Sequence, residues 1–371
     1  MKIIVAPDSF KNALRAGEVA AAVIAGWKSV RPEDTLIAIP MSDGGEGLCD
    51  ALTSSADGRF LEIPTVDSLM RPRLGRAGIA GDFAVLESAE ANGIELLSRN
   101  ELDPLKATTY GVGLMLKELL RQCRKIIIGI GGSATVDGGA GMLQALGGRF
   151  YDSAGRELPQ GIGGGDLAKI ARMDRSGLPE ELNSAEIIVA CDVNNCLCGK
   201  TGSAAVFGPQ KGATPEMVEI LDANLKHFAA LWGDDGLGAG DGAAGGLGFA
   251  LRQLGGKMES GAKLVMRETH FLDQLSGADL VITGEGCSDN QTACGKLCSS
   301  IALAAADAGV PTVLLSGALK GDCTELEKLF SGCFSISRGV CTLDEALENT
   351  GENLKKSAAS LAALVSGISC K

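Results

Sequence analysis

Aromatic residues make up only 4% of the chain, and there are two histidines, His227 and His270. The first scarcity removes the stacking platforms on which single-stranded nucleic acid is usually held. The second argues against histidine general-base chemistry and against a Ser-His-Asp arrangement. Positive charge is short as well. With 34 Lys and Arg against 46 Asp and Glu, the net charge is -12, a balance that repels phosphate backbones and anionic lipid surfaces. Neither nucleic acid nor a membrane is therefore expected as a partner. No apolar run approaches the ~18 residues of a membrane span, and the opening MKIIVAPDSF has no signal-peptide core, so a cytoplasmic protein is expected. Two motifs are also missing. Despite 12 cysteines there is no CxxC; the closest spacings are Cys196-x-Cys198 and Cys294-x3-Cys298. Structural zinc is accordingly not expected, and the thiols read as reduced apolar fillers. The P-loop G-x-x-x-x-G-K-[ST] is absent too.

What the chain has is enough apolar residue, 45% of 371, to bury a sizeable core over two domains, and 52 glycines with no G-X-Y period. The stretch Lys125 to Leu146 shows how those glycines are used. A β-branched run, Ile126 to Ile128, reads as a buried strand that stops at Gly129-Ile130-Gly131-Gly132-Ser133-Ala134-Thr135, followed by Asp137-Gly138-Gly139 and a helical period from Met142. A corner of this kind exposes backbone N–H groups to an anion. It also reads as a plain tight turn, or, through Gly129-x-Gly131-x-x-Ala134 with Asp152 downstream, as a loose dinucleotide fingerprint.

Strands are expected at residues 2–5 and 36–39, each followed by an acidic or glycine loop and a helix, the first helix over Ala16 to Val30. Residues 59–66, 74–79 and 83–87 have the spacing of an antiparallel meander. A helix is expected over 105–120, a strand over 187–190, and helices over 215–231, 243–254 and 261–274. The parallel rhythm then returns, with strands at 279–283, 310–315 and 333–337 and a closing helix over 343–365. The fold class is α/β. Five strands from the two chain ends make a flavodoxin-like parallel sheet, 1–58 with 272–371, and residues 59–271 form an inserted mixed α/β domain.

The loops hold Asp8, Asp43, Glu46, Asp137, Asp192, Glu285 and Asp289 just beyond strands or in glycine turns, with Lys11, Lys211 and Lys296 beside glycine- or hydroxyl-rich segments. Carboxylates there could hold Mg²⁺ or act as a general base, and the lysines would supply the local positive charge that an anionic ligand requires. Acidic residues also favour turns and helix caps. With histidine scarce, the pattern points to phosphoryl transfer, where positioning and electrostatics dominate.

The segments PDSFK (7–11), PMSDGGEG (40–47), ATTYG (107–111), GIGGSAT-x-DGGAGMLQALG (129–147), ACDV (190–193), VFGPQKGA (206–213), GAAGGLG (242–248) and ADLVITGEG with D-x-QT-x-x-GK (278–296) resemble, in order, those of the bacterial glycerate kinase family that lacks a P-loop, whose members with these motifs are usually 2-kinases. The resemblance implies two α/β domains, one flavodoxin-like and one restriction-endonuclease-like, with an active site in the cleft. It also implies transfer of the ATP γ-phosphoryl to D-glycerate with Mg²⁺. On that reading Lys11 is a catalytic residue and glycerate meets Asp8, Ser9, Asp43, Glu46, Gln291, Thr292 and Lys296, while ATP meets Gly131, Gly132, Ser133, Asp137 and Lys211. Asp192 is the first choice as base and Asp289 the second; Asp192 and Glu285 are the candidate metal carboxylates. The chain departs from the family pattern at Asn12-Ala13, at Asn195-Cys196-Leu197, at Leu297-Cys298, and at Cys287, where an arginine is usual. Two rival readings are a dinucleotide-dependent oxidoreductase and a catalytically weakened small-anion-binding relative. Monomer and homodimer are both open.

Overall fold

A computed structural model describes residues 1–290, 292 and 297–369. Its strands are β1 (Lys2–Val5), β2 (Thr35–Ala38), β3 (Arg59–Val66), β4 (Pro72–Ala80), β5 (Phe83–Glu87), β6 (Lys125–Gly129), β7 (Arg149–Tyr151), β8 (Arg172–Asp174), β9 (Glu186–Ala190), β10 (Lys257–Glu259), β11 (Leu280–Ser288), β12 (Thr312–Leu319) and β13 (Gly332–Ser335). The chain divides into two compact units. One is formed by Met1–Asp43, Asp50–Ser55 and Ala262–Lys371, the other by Gly44–Cys49 and Ala56–Gly261.

The first unit carries a five-stranded sheet in the order β13-β12-β11-β1-β2. Every pairing is parallel, with Ile3 opposite Leu280, Lys2 opposite Thr35, Val281 opposite Thr312 and Val313 opposite Gly332. Counted in chain order within the unit, this is the 2-1-3-4-5 arrangement of the flavodoxin-like fold. Ile3, Ile4 and Val5 are fully buried, as a central parallel strand covered on both faces requires. Trp27, at the end of helix Ala16–Lys28, packs into the same core as Ile3, Val5 and Val313, together with Leu354 and Ala358 of helix Thr350–Ser369.

The second unit carries a mixed six-stranded sheet in the order β10-β9-β6-β5-β4-β3. The first four strands run parallel, and β4 and β3 extend the sheet antiparallel. Ile126, Ile127 and Ile128 are all fully buried, so the continuous β-branched run belongs to a central strand. The outer β3 has a burial pattern that alternates toward its end, which is what one solvated face produces. Residues 149–151 and 172–174 form a separate antiparallel pair. Among the described residues no helix is long and apolar enough to cross a membrane.

Several expected boundaries move, each for a local reason. The helix expected over 105–120 begins only at Tyr110, because the N–H and hydroxyl of Thr109 are both committed to Asp137. The segment read as a helix over 261–274 is broken at His270, whose φ is 53°. The closing helix is two, Leu343–Glu348 and Thr350–Ser369. Strand β11 runs on to Ser288, through GEGCS, so Glu285 and Cys287 are strand residues and not loop residues.

Candidate active site

In the second unit β5, β6, β9 and β10 are parallel, so their C-terminal ends share one edge, and the loops that follow them gather there. The glycine corner leaves β6 at Gly129. Against it lies the segment 44–48, backbone on backbone: a Cβ at Gly129 would come 2.7 Å from the Gly44 carbonyl oxygen, and one at Gly131 would come 3.1 Å from Gly45 Cα. At Gly129 only glycine permits that approach, and at Gly131 a side chain would be crowded. Glu87, ending β5, fixes the same segment by accepting hydrogen bonds from the N–H groups of Cys49 (2.8 Å) and Gly47 (3.3 Å).

Within the corner Gly131 and Gly132 are exposed, whereas Ser133, Thr135 and Asp137 are buried. Asp137 accepts from Thr109 N (2.8 Å), Thr109 Oγ1 (2.7 Å), Gly139 N (3.1 Å) and Gly141 N (3.2 Å). Burial raises its pKa, against the pull of those donors. The carboxylate braces the turn from within. Lys211, expected at the ligand surface, is also buried: its Nζ donates to Ser133 Oγ and to the Thr135 carbonyl, both at 2.8 Å. Burial pushes its pKa down to about 7, and the opposite charge of Asp137 offsets part of the shift.

Asp192 follows β9 and is exposed, with Oδ1 accepting from Gly261 N at 3.1 Å. It lines a cavity of about 320 Å³ with Asn194, Met258, Glu259 and Ser260. The sequence reading missed Glu259 and Ser260, because β10 has three residues and shows no period. Beside the cavity, Gly242 N donates to the Asn195 carbonyl (2.9 Å). Buried Asp241 receives the Arg252 guanidinium at 2.6 and 2.8 Å, which pins the GDGAAGG segment in place.

In the first unit the loops after β1 and β2 and the end of β11 collect a second set of groups. Asp8 N donates to the Gly284 carbonyl (2.8 Å), and its Oδ1 accepts from Ser9 N (2.6 Å). Burial drives the Asp8 carboxyl up to about 8; the negative charges of Asp43 and Glu285 add to this, while the Ser9 N–H and Lys11 oppose it. Lys11 and Asp43 are exposed; so is Glu46, which belongs to the second unit. Glu285 Oε1 accepts from Thr292 Oγ1 (2.8 Å) and Ser288 Oγ (2.9 Å). Thr292 is buried and also pairs with Asp289, accepting from its N–H at 3.2 Å and donating to its Oδ1 at 3.3 Å. It orients two acids. Gln291 and Lys296 lie outside the described residues.

The raised Asp8 pKa predicts the effect of Asp8→Asn on stability. The folded state holds the Asp8 proton more tightly than the unfolded chain does, so this group favours folding below the ordinary value of 3.8, and that contribution is lost as pH rises to about 8. The variant is therefore expected to melt higher than the wild type. The gain should be on the order of 1–2 kcal/mol above pH 8 after allowance for solvent, shrinking toward zero near pH 4. Thermal melts across pH check it; a gain that grows on acidification would contradict it.

The dinucleotide reading loses its acidic partner. Asp152 lies beyond β7 in the small separate sheet, accepting from Arg156 Nε (2.8 Å) and Ala154 N (2.9 Å). Residues 3–366 match the glycerate kinase family. The chain belongs to that family. Similar relatives include the glycerate kinase of Bacillus subtilis, 42% identical over 98% of both chains, and the glycerate 2-kinase of Escherichia coli K12, 39% identical over 98% of this chain and 97% of the relative. A crystal structure from Salmonella typhimurium LT2, provisionally named glycerate kinase 2, superposes with a TM-score of 0.89 at 40% identity over 100% of each chain. The family match takes in both sets of loops.

Proposed function

We propose that this chain is a glycerate kinase, transferring the γ-phosphoryl group of ATP to the 2-hydroxyl of D-glycerate and releasing ADP and 2-phosphoglycerate. The observation that carries this reading is the family similarity through residues 3–366, with curated relatives named glycerate kinase and glycerate 2-kinase. On this reading Gly131, Gly132 and Ser133 receive the triphosphate, with Asp137 and Lys211 behind them. D-Glycerate is held by Asp8, Ser9, Lys11, Asp43 and Glu46 and by the loop containing Gln291, Thr292 and Lys296. The residues named come from both sequence domains, 1–58 with 272–371 and 59–271, and the PMSDGGEG motif itself runs from Asp43 in one unit to Gly44 in the other.

Asp192 accepts the proton of the substrate hydroxyl as that oxygen attacks the γ-phosphorus; a new O–P bond forms, the bond to the β-phosphate oxygen breaks, and ADP departs. Asp289 is the alternative base. The ammonium of Lys11 counters charge on the substrate carboxylate. Carboxylate oxygens are the hard donors that Mg²⁺ prefers, and Asp192 is exposed at the rim of a cavity while Glu285 is only partly covered. Either carboxylate has the donor chemistry the ion takes; Glu285 would hold it if Asp192 is the base, and Asp192 is the other candidate. When bound, Mg²⁺ would neutralise charge on the β- and γ-phosphates. We place the reaction in the cytoplasm. The test is NMR of the product formed from ATP and D-glycerate. Phosphorus coupled to the C2 proton is expected, and coupling to the C3 protons would overturn the 2-kinase assignment.

A further inference from the structure

We propose that Lys211 is a positioning residue that works from beneath the glycine corner, turning the Ser133 hydroxyl outward as a donor for a phosphate oxygen. The inference rests on the kinase reading only in naming that phosphate as part of ATP.

An ammonium has only donors. Lys211 Nζ, 2.8 Å from Ser133 Oγ, therefore occupies a lone pair of that oxygen, and the hydroxyl hydrogen must point elsewhere. Among the described residues nothing accepts it. The backbone around Ser133 leaves the side chain little choice of position. Ser133 bridges to Gly93, Ile94 N donates to the Gly132 carbonyl (2.8 Å), and Ala134 N donates to the Asn92 carbonyl (2.7 Å). Thr135 is held on both sides, by Asn92 Nδ2 on its hydroxyl (3.1 Å) and by Lys211 on its carbonyl (2.8 Å). Gly131 and Gly132, immediately before Ser133 in the chain, are exposed, and we take the hydrogen to face that side. A phosphate oxygen, which only accepts, complements a hydroxyl whose lone pair is already occupied from below.

The same geometry makes the corner sensitive to pH. Asp137 is the charged group facing Lys211, and its carboxylate is spent on Thr109, Gly139 and Gly141. Burial brings the ammonium to titrate near neutrality, at about 7. A neutral amine offers a lone pair that can capture the Ser133 hydrogen and turn the hydroxyl inward. Phosphate capture should then weaken as pH rises past that point, and only while Ser133 is present.

The test compares wild type, Ser133→Ala, Lys211→Met and the double variant in kcat/KM for ATP, at saturating D-glycerate and across neutral pH. Ser133→Ala is expected to lower kcat/KM about tenfold, Lys211→Met at least as much, and the double variant no further than Lys211→Met alone. The ratio of wild type to Ser133→Ala should fall as pH rises through 7, a comparison in which the titration of ATP itself cancels. Independent, multiplying losses in the double variant, or parallel pH profiles, would overturn the proposal. If Lys211→Met does not fold, the wild-type to Ser133→Ala ratio decides alone. If the wild type shows no glycerate-dependent ADP release, the kinase reading fails separately. Calorimetric titration with ATP then takes over: weaker binding by Ser133→Ala below pH 7 supports the proposal, and equal affinity overturns it.

Discussion

Asp192→Asn is expected to lower kcat by about 10²–10⁴-fold while leaving the melting temperature nearly unchanged. The substitution keeps the Oδ1 that accepts from Gly261 N, so the loop after β9 retains its anchor. What disappears is basicity at a group exposed beside the cavity. An exposed carboxylate contributes little to folding, which is why the two readouts should separate. An ATP-coupled assay combined with a thermal melt checks this. Near-normal turnover would remove Asp192 as the base and move that role to Asp289, whose Asp289→Asn variant would then show the larger loss.

The second large effect falls on stability. Gly245 has φ of +74°, and a Cβ there would lie on the carbonyl of Thr135 and 2.8 Å from Val136 Cα. Its own carbonyl accepts from Gly138 N at 2.9 Å, so the loop cannot swing away without losing that bond. Gly245→Ala therefore combines left-handed strain with overlap against backbone, and should cost about 3 kcal/mol or more, lowering Tm by several degrees. The same contact couples fold to site. Thr135 is the residue whose carbonyl holds Lys211, so a displaced Thr135 also disturbs Ser133, and ATP should bind more weakly in whatever fraction remains folded. An unchanged Tm would contradict the packing described around the corner.

Much of this fold could be read from sequence because the decisive elements were locally marked. Ile126 to Ile128 forms a strand buried on both faces, and the glycines after it sit where backbones meet. The parallel sheet from the two chain ends was readable because each of its early strands runs straight into an acidic or glycine loop. The misreadings arose where a tertiary contact overrode local preference. Thr109 would extend its helix by one turn were its N–H and hydroxyl not drawn to Asp137, nearly thirty residues away. GEGCS looks like a loop until β12 pairs with it from Gly284 to Ser288, with Glu285 opposite Ser316 and Ser288 opposite Leu319.

The site followed the same division. Residue types and neighbourhoods were legible, but burial was not. Nothing local distinguishes Lys211, fully enclosed under the corner, from exposed Lys11. The difference decides whether a lysine touches an anion or orients the group that does. Asp137 and Asp8 differ in a similar way: burial raises both, but Asp137 is taken up by four protein donors, whereas Asp8 meets acidic neighbours that help push it up to about 8. Glu259 escaped notice for a further reason. A three-residue strand carries no periodic signal, and only its parallel pairing with β9 brings that acid to the cavity beside Asp192.

The most direct test of the account is the steady-state rate of ADP release by the purified protein with ATP and Mg²⁺, measured with and without D-glycerate. Release is expected to depend on D-glycerate, to saturate with it, and to collapse in Asp192→Asn. Release that is the same with and without D-glycerate would contradict it.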